Sequence, residues 1–349
     1  MQDSTIDTIG CDLGDKSSEL FLISADGRTH RSRVLTRPEA MRLFFARPTA
    51  HVVIEVGPHS RWVSELLKDL GHEVTVANPR RVKAISQGDS KSDRKDAELL
   101  ARLGRADRAL LAPVEHRGAQ AHADLEILKA RDLLVTTRTQ LINHVRSVVK
   151  CSGFRLPRCT AETFAKKTRE LIPDELRAAL ECIYTTLAGL ETQIRALEKT
   201  ITRELPKRYP ATRNLRQVNG VGPITAVAFV LTLEKPENFP RSRAVGAFLG
   251  LRPRQKQSGK RDPALGITKS GDGFLRRLLV QCANYILGPF GKDSDLRRWG
   301  LKLAERGGKN ARKRAKIAVA RKLGVLLHRL WSSQEEYIPI GYGQQELAA

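Results

Sequence analysis

Apolar and polar positions along the first third of the chain change repeatedly between the period of a strand and the period of a helix. Gly14 and the Asp26-Gly27 pair mark turns between three strand-like runs, which we expect to form an antiparallel meander. A short helix follows Pro38, and another helix opens near Ser92. The other predicted segments are the strands Thr5–Asp12, Glu19–Ser24, Thr29–Leu35, His51–Val56 and Glu73–Ala77 and the helix Ser60–Leu70.

The predicted order is βββαβαβα, in which three antiparallel strands are followed by parallel strands with helical crossovers. This order is typical of the ribonuclease H and RuvC-like core, a three-layer α/β arrangement. Many other mixed folds begin in the same way, so the order favours this core without selecting it.

Two long helices are predicted behind this α/β region. Ala119–Lys150 contains no Gly or Pro and repeats apolar residues at helical spacing, and Asp174–Leu205 repeats them after a looser segment. Together they predict an antiparallel coiled-coil arm. From Pro206 to about Trp331 the pattern predicts a compact, mostly helical and Gly-rich domain, and Gln334–Ala349 reads as a loose tail.

The charge of the chain is strongly positive and unevenly distributed. Its 61 Lys and Arg against 38 Asp and Glu give a formal net charge of +23, which fits nucleic acid or an anionic membrane surface. Residues 1–110 carry 18 basic and 16 acidic side chains, whereas residues 206–332 carry 28 and 7. This asymmetry indicates that the front part performs chemistry while the back part binds phosphates.

Other features exclude several classes of protein. No apolar run approaches the roughly 20 residues that span a bilayer, and Met1–Asp12 lacks the regions of a signal peptide, so we expect a cytoplasmic protein without a membrane partner. The five cysteines form no CxxC pair and have no flanking histidines. This spacing argues against a disulfide framework and against structural zinc.

Four carboxylates form the main candidate site. Asp12 and Glu55 each end an otherwise apolar strand, and in the proposed core these two strands lie side by side, where a divalent cation would neutralise both acids. Asp93 and Asp96 are three residues apart at the start of a helix and share a face. The set suits two Mg²⁺ ions, or Mn²⁺, in phosphoryl transfer.

Each acid also has a purely structural interpretation. Asp93, with Ser92, is a natural residue for the first turn of a helix, and an acid such as Asp12 after a strand is often a turn former. Asp15, which follows the turn glycine and is expected to be exposed, and Asp89, in a polar loop, compete for the ligand positions.

Ser258 is the candidate nucleophile. It lies in a polar run rich in cations, where a hydroxyl can form a covalent ester with DNA while Arg and Lys stabilise the phosphoryl charge, and a carboxylate of the first domain can take its proton. A serine before glycine can equally be a turn residue or part of a phosphate-binding loop. Ser270 is the alternative hydroxyl, although its position fits a helix cap or a phosphate contact better.

Further positions are candidates for binding nucleic acid. Gly220 and Gly222 resemble the turn of a helix-hairpin-helix, whose free amides bind a phosphate, or they serve close packing. Tyr285 and Trp299 are aromatic residues that can stack on bases, with core packing as the alternative. The candidate cationic side chains, for which a solvated helix face is the alternative, are Arg252, Arg254, Lys256, Lys260, Arg261, Lys269, Arg276, Arg277, Lys313 and Arg314.

These motifs, in this order, resemble the DEDD insertion-sequence transposases whose recombination is guided by a structured bridge RNA. Asp12, Glu55, Asp93 and Asp96 are similar to the family's carboxylate tetrad. The second half matches in three further segments, Val218–Ala226, Phe248–Lys260 with its serine, and Thr268–Leu279, so the resemblance covers roughly residues 5–331. One departure is the longer turn Leu13–Ser17 after the first Asp, which leaves the role of Asp15 open.

The resemblance implies a fold, a reaction and partners. It implies a RuvC-like DEDD catalytic domain over residues 1–110, a coiled-coil arm for subunit contacts over 111–205, a basic helical serine domain over 206–332 and a tail over 333–349. It implies a transposase or site-specific recombinase that cleaves and rejoins double-stranded DNA. The serine domain would complete a composite site with the carboxylates of a partner subunit in a dimer or tetramer. Sequence choice would rest with the guide RNA, and the reaction would occur at the bacterial nucleoid.

Three rival functions remain open at this point. A metal-dependent junction resolvase needs the carboxylates and no serine. An actin-like kinase or ATPase also has an Asp-Leu-Gly-Asp-Lys loop after its first strand, although it leaves the cationic back half unexplained. A third rival is a nucleic-acid-binding protein whose acids are structural.

Overall fold

The computed structural model describes residues 6–85, 92–257, 265–308 and 310–341. The chain divides into two compact units, Met1–His116 and Arg117–Ala349. The first unit is a mixed α/β layer structure, and the second is helical. No helix in these described ranges is both long enough and apolar enough to cross a membrane.

The first unit is built around one sheet of five strands in the order β3-β2-β1-β4-β5. The β1–β2 and β2–β3 pairs are antiparallel, and the β1–β4 and β4–β5 pairs are parallel. The strands are β1 Thr8–Asp12, β2 Ser17–Ile23, β3 Thr29–Leu35, β4 His51–Glu55 and β5 Glu73–Ala77. The helices are α1 Pro38–Phe45, α2 Ser60–Asp69, α3 Pro79–Ile85 and α4 Asp93–Ala106, with a 3-10 turn at Arg108–Leu111.

Both faces of the sheet are covered by helices. Because side chains alternate along a strand, Ile9 and Cys11 of β1 face the core that includes the helices α1 and α2. On the opposite face, Phe21 packs with Ala97 and Ala101 of α4. The meander and the crossovers match the predicted order, except that the short helix α3 was not predicted.

The second unit begins with two long helices, α5 Ala119–Cys151 and α7 Asp174–Lys199, separated by the short helix α6 Ala161–Thr168 and a 3-10 turn at Arg169–Leu171. Ion pairs join Arg131 of α5 to Glu198 of α7, and Arg138 of α5 to Glu191 of α7. A step of seven residues forward along α5 is thus matched by a step of seven residues backward along α7. The two helices therefore run antiparallel. A π-helical stretch, Thr200–Glu204, follows α7.

The rest of the second unit is a helical bundle around the apolar helix α10. Nine of the eleven residues of α10 are buried, which explains why this segment shows no amphipathic period. The helices are α8 Leu205–Arg208, α9 Thr212–Leu215, α10 Pro223–Leu233, α11 Arg243–Phe248, α12 Gly273–Ile286, α13 Asp295–Glu305 and α14 Ala311–Ser333, with a 3-10 turn at Pro236–Asn238.

The prediction of a loose tail is wrong for residues 334–341, which we call the C-terminal strap. The backbone N–H of Tyr337 donates to the Gln217 side chain at 2.7 Å, and the Pro339 carbonyl accepts from the backbone N–H of Asp295 at 2.8 Å. The N–H of Gly341 donates to the Asp295 carboxylate at 2.8 Å. The acidic, Gly-containing composition of residues 334–349 suggested a loose tail, whereas the backbone groups of the strap find partners on the bundle.

Candidate functional site

The ends of β1 and β4 bring two predicted carboxylates together. The register pairs Cys11 with Ile54, so the next residues, Asp12 and Glu55, end neighbouring parallel strands. Both side chains are half-buried. Adjacent strands are about 4.8 Å apart, so two like charges this close raise each other's energy unless a cation or a donor balances them.

Both acids lie on the face of the sheet that α4 covers. Gly10 of β1 faces α4, because a Cβ built at Gly10 would come within 2.1 Å of the Ala97 carbonyl oxygen. Asp12 is two residues further along β1 and shares that face. Val53 faces α4 as well, against Gly104, and Glu55 is two residues beyond it.

The helix α4 runs antiparallel to β1, so its first turn lies at the edge where Asp12 ends the strand. Arg94, at the start of the helix, is 3.8 Å from Glu19, the register partner of Asp12. Arg105, near the other end, donates to the Ile23 carbonyl at 3.1 Å, at the far end of β2. Glycine at position 10 permits this close docking.

Asp93 and Asp96 stand on that first turn. Ser92 caps the helix, with its hydroxyl accepting from the Lys95 N–H at 3.4 Å, so Asp93 is the first helical residue and not the cap. Asp93 is exposed and Asp96 is half-buried. The four predicted carboxylates therefore share one edge of the first unit.

The four acids do not form a closed ligand set. Within the described parts of the chain, no group of three or more His, Cys, Asp or Glu side chains is placed to hold a metal ion. Carboxylate oxygens at this edge are nevertheless the donors that Mg²⁺ and Mn²⁺ prefer. The donor chemistry of the four residues therefore fits a divalent metal.

Three further residues at this edge were missed by the sequence analysis. Glu19 lies beside Asp12 on the same face and is held by Arg33 at 3.1 Å and by Arg94. The predicted β1–β2 hairpin could have indicated Glu19, because it places Asp12 and Glu19 on adjacent strands. His59 is the second residue, and its partner Trp62 is the third.

His59 joins the loops that follow β1 and β4. The indole N–H of Trp62 donates to Nδ1 of His59 at 3.1 Å, and because an indole nitrogen only donates, the proton of the neutral imidazole lies on Nε2. That Nε2 is 3.6 Å from Asp15, whose side chain is 92% exposed, as expected. The other candidate ligand, Asp89, lies outside the described residues.

Ser258, Lys260 and Arg261 also lie outside the described residues, so the candidate nucleophile is known here only from its flanks. The flanking strands pair, with Arg254 N–H donating to the Gly266 carbonyl and Thr268 N–H to the Arg252 carbonyl, each at 2.9 Å. Residues 252–254 and 266–268, which flank the segment that contains Ser258 in sequence, are therefore paired with each other. The described cations of the loop, Arg252, Arg254 and Lys256, are exposed.

The segment around Ser270 has a structural role. Its hydroxyl hydrogen-bonds the Thr268 hydroxyl at 2.9 Å, and Asp272, not Ser270, caps α12 by accepting from the Leu275 N–H at 2.7 Å. The interpretation of Ser270 as a helix cap is therefore wrong. Arg276 donates to the carbonyls of Ser270 and Leu249, both at 2.9 Å, and so fastens this segment.

The other candidate cationic side chains differ in how freely they could contact a phosphate. Arg277 forms an ion pair with Asp132 and lies over the ring of Phe274. Lys269 has a left-handed backbone with φ of 54°. Lys313 and Arg314 are exposed on the first turns of α14.

The Gly220 turn precedes the buried helix α10. Gly220 has φ of 90° and packs against Tyr285 of α12, where an added Cβ would come within 3.1 Å of the ring. Gly222 occupies the N-cap position of α10 without a side-chain cap, and an added Cβ there would meet no described atom within 4 Å. The space at Gly222 is therefore open, and phosphate binding at this turn stays a prediction.

The two candidate stacking residues have different surroundings. Trp299 is partly buried against the core of the second unit, with the Lys322 ammonium 4.7 Å from its ring, which agrees with core packing. Tyr285 is 43% exposed beside Gly220. Core packing therefore describes Trp299 and not Tyr285.

Comparison with known proteins gives consistent matches along the chain. Residues 9–152 match a family model of IS110-type DEDD transposases, and residues 212–292 match one described as "Transposase IS116/IS110/IS902 family". The chain is 29% identical to the transposase for insertion sequence element IS1111A of Coxiella burnetii, over 95% of this chain and 91% of that protein. It is 28% identical to a probable family 20 transposase of Pseudomonas aeruginosa, over 95% and 98%. It is 29% identical to the transposase for IS1328 of Yersinia enterocolitica, over 79% and 82%.

Proposed function

Because the chain belongs to the IS110/IS116 family of DEDD transposases, enzymes that cleave and rejoin DNA, we propose that it does so with a carboxylate metal site and a serine nucleophile. The observation that carries the proposal is the common edge of Asp12, Glu55 and the first turn of α4. The sheet order supports a RuvC-like core for this unit.

Asp12, Glu55, Asp93 and Asp96 would hold the metal in this proposal. Bound Mg²⁺ supplies positive charge to the phosphoryl oxygens of the cut strand. The matched family and the donor chemistry support a metal-dependent reaction.

Ser258 would act as the nucleophile. Its hydroxyl oxygen forms a bond to phosphorus while the bond from phosphorus to a deoxyribose oxygen breaks. The serine proton passes to a carboxylate, and the released deoxyribose oxygen takes up a proton. Attack by a new strand's hydroxyl reverses these steps and joins the strands, so the energy of the phosphodiester is kept. The exposed Arg252, Arg254 and Lys256 would stabilise the phosphoryl charge.

Partners follow from the same proposal. The basic second unit would bind the DNA backbone, and a structured guide RNA would supply sequence choice by base pairing. The antiparallel pair of α5 and α7 would serve as the coiled-coil arm of a dimer or tetramer, because strand exchange joins two DNA ends symmetrically. The active assembly would lie at the bacterial nucleoid.

The test is a covalent adduct between protein and DNA. Purified protein is incubated with Mg²⁺, its flanking genomic DNA and co-purifying RNA, and adducts are resolved by denaturing electrophoresis. We expect an adduct in the wild type that is lost in Ser258→Ala, in Asp12→Asn and with EDTA. Ser270→Ala is the matched control and should keep it.

Two results would contradict the proposal. Cleavage without an adduct in the wild type would support the junction-resolvase function and make Ser258 a phosphate contact. An adduct that persists in Ser258→Ala and disappears in Ser270→Ala would move the nucleophile to the second serine.

A further inference from the structure

A polar cavity of about 370 Å³ lies in the second unit beside the Gly220 turn. One wall comes from residues 216–219 before the turn, another from the start of α13, and a third from the C-terminal strap. The strap contributes Tyr337 and Pro339. A cavity of this size can enclose a small planar ligand.

The lining of the cavity carries a net positive charge. Arg216 and Lys292 line it with exposed side chains, and neither forms an ion pair with a described residue. Asp293 is the acidic residue among the described lining residues, and Arg298 already neutralises it through three contacts of 2.9, 3.1 and 2.5 Å. An anionic group is therefore the favoured occupant of this side of the cavity.

Other lining residues suit a flat heterocycle. Tyr337 provides a half-buried ring, and Ile286 and Leu296 provide apolar surface. The Asn219 side-chain oxygen accepts from the Lys292 N–H at 3.2 Å, and the Gln217 side-chain oxygen accepts from the strap at 2.7 Å. The amide nitrogens of both side chains are thereby left as donors for the edge of a base.

Two exposed aromatic residues are close in sequence to lining residues of the cavity. Tyr285 is 43% exposed against the Gly220 turn, and Phe290, two residues before Lys292, is 78% exposed. Exposed aromatic rings beside unpaired cations are typical of surfaces that bind single-stranded nucleic acid by stacking.

We propose that this cavity binds one unpaired nucleotide of a nucleic-acid strand, with the base against Tyr337 and the phosphate between Arg216 and Lys292. The inference rests on the proposed function in one respect, since it assumes that the second unit handles nucleic acid. Unpaired nucleotides arise where strands are opened for exchange, and such bases enter a pocket at the smallest cost in unstacking energy.

The experiment measures the fluorescence of 2-aminopurine placed at the centre of a 20-nucleotide oligo(dT), with full-length protein. Wild-type protein should quench the single strand saturably and should leave the same base in a duplex unchanged. Tyr337→Leu should lower single-strand affinity about tenfold, the loss expected for one stacked base. Ile338→Ala, a neighbouring strap residue outside the lining, should leave the affinity unchanged.

A second pair of variants tests the phosphate contact. Arg216→Ala with Lys292→Ala should weaken single-strand binding at least tenfold more than the charge-matched pair Arg213→Ala with Lys302→Ala, which lies outside the lining. Equal losses in the two pairs would overturn the proposal and leave only a general charge effect. Thermal midpoints close to wild type exclude unfolding in each variant.

The failure of this proposal is distinguishable from the failure of the proposed function. A protein that forms the Ser258 adduct and gives no 2-aminopurine quenching overturns the cavity proposal alone. A protein that quenches the probe and forms no adduct supports the cavity and contradicts the serine chemistry. An oligo(rU) version of the probe shows whether the strand is RNA, because tighter binding of one backbone assigns the source.

Discussion

At the scale of single residues, the buried His51 on β4 makes the stability of the fold depend on pH. Its side chain is 2% exposed, and its Nε2 hydrogen-bonds the Thr75 hydroxyl at 2.8 Å. Burial and the nearby Arg108 guanidinium lower the pKa of His51 to about 4. The folded protein therefore keeps the ring neutral where an unfolded chain, with a pKa near 6.5, would protonate it.

This lowered pKa predicts a loss of stability in acid. Above about pH 6.5 the ring is neutral in both states and costs nothing, and as the pH falls towards 4 the unfolded state alone takes up the proton, which removes up to about 3 kcal/mol. His51→Gln should reduce this loss in urea unfolding between pH 7 and 4. The exposed His30→Gln is the control, and equal pH dependence in both variants would contradict the assignment.

The carboxylates show which site residues sequence can reveal. Asp12 and Glu55 were predictable because each is a lone acid in an apolar strand, and strand order then made them neighbours. The contact of His59 with Asp15 was not predictable, because it joins two loops whose meeting depends on the packing of β1 against β4. Glu19 needed the hairpin register, which a turn pattern fixes only to within a residue or two.

At the scale of elements, Arg138 stabilises the pair of long helices. Its side chain is 8% exposed and contacts Glu191 at 2.6 Å and Glu162 at 3.3 Å. Its Nε has no hydrogen-bond partner among the described residues. One buried cation therefore ties α5 to α6 and α7.

Truncating this arginine should weaken the helical pair strongly. Arg138→Ala leaves the exposed Arg195 as the partner of Glu191, so we expect a loss in urea unfolding that approaches, and does not exceed, the about 3–5 kcal/mol of a fully broken buried pair. Arg177→Ala removes an exposed ion pair with Asp174 and should cost less than about 1 kcal/mol. A similar loss in the free energy of unfolding for both variants would contradict a larger contribution from the buried Arg138.

The elements also show where sequence patterns are informative. The strand β3 and the start of α4 were predicted within one residue, because a turn and a cap mark them chemically. The helix α3 was missed because seven residues are too few to show a period. The strap was missed because its order depends on contacts with Gln217 and Asp295, more than forty positions away in sequence.

At the scale of the whole molecule, the uneven charge predicts how DNA binding responds to salt. Each phosphate contact releases counterions, so binding to any duplex should fall linearly on a logarithmic scale as salt rises. Lys313→Ala with Arg314→Ala removes two exposed cations of α14 and should lower that slope by roughly 2. Fluorescence anisotropy with a random duplex measures the slope.

The control for this prediction lies in the nearly neutral first unit. Arg28→Ala with Arg42→Ala removes the same charge from that unit and should leave the slope within error of wild type. If both double variants lower the salt dependence of DNA binding equally, the second unit does not bind phosphates preferentially.

Because the two units are contiguous in sequence, the ribosome synthesises the first unit before the second. Residues 1–116 form a contiguous unit, which the ribosome has synthesised in full before it begins the second unit. Translation adds about 5–20 residues per second, so the ribosome needs roughly 7–28 s to proceed from that boundary to Ser258. In the proposed function, the nascent chain during this interval carries the four candidate metal ligands and lacks the candidate nucleophile. On that proposal, a truncated synthesis product of this length would be unable to form a protein–DNA bond, and the ability to recombine would arise late in synthesis.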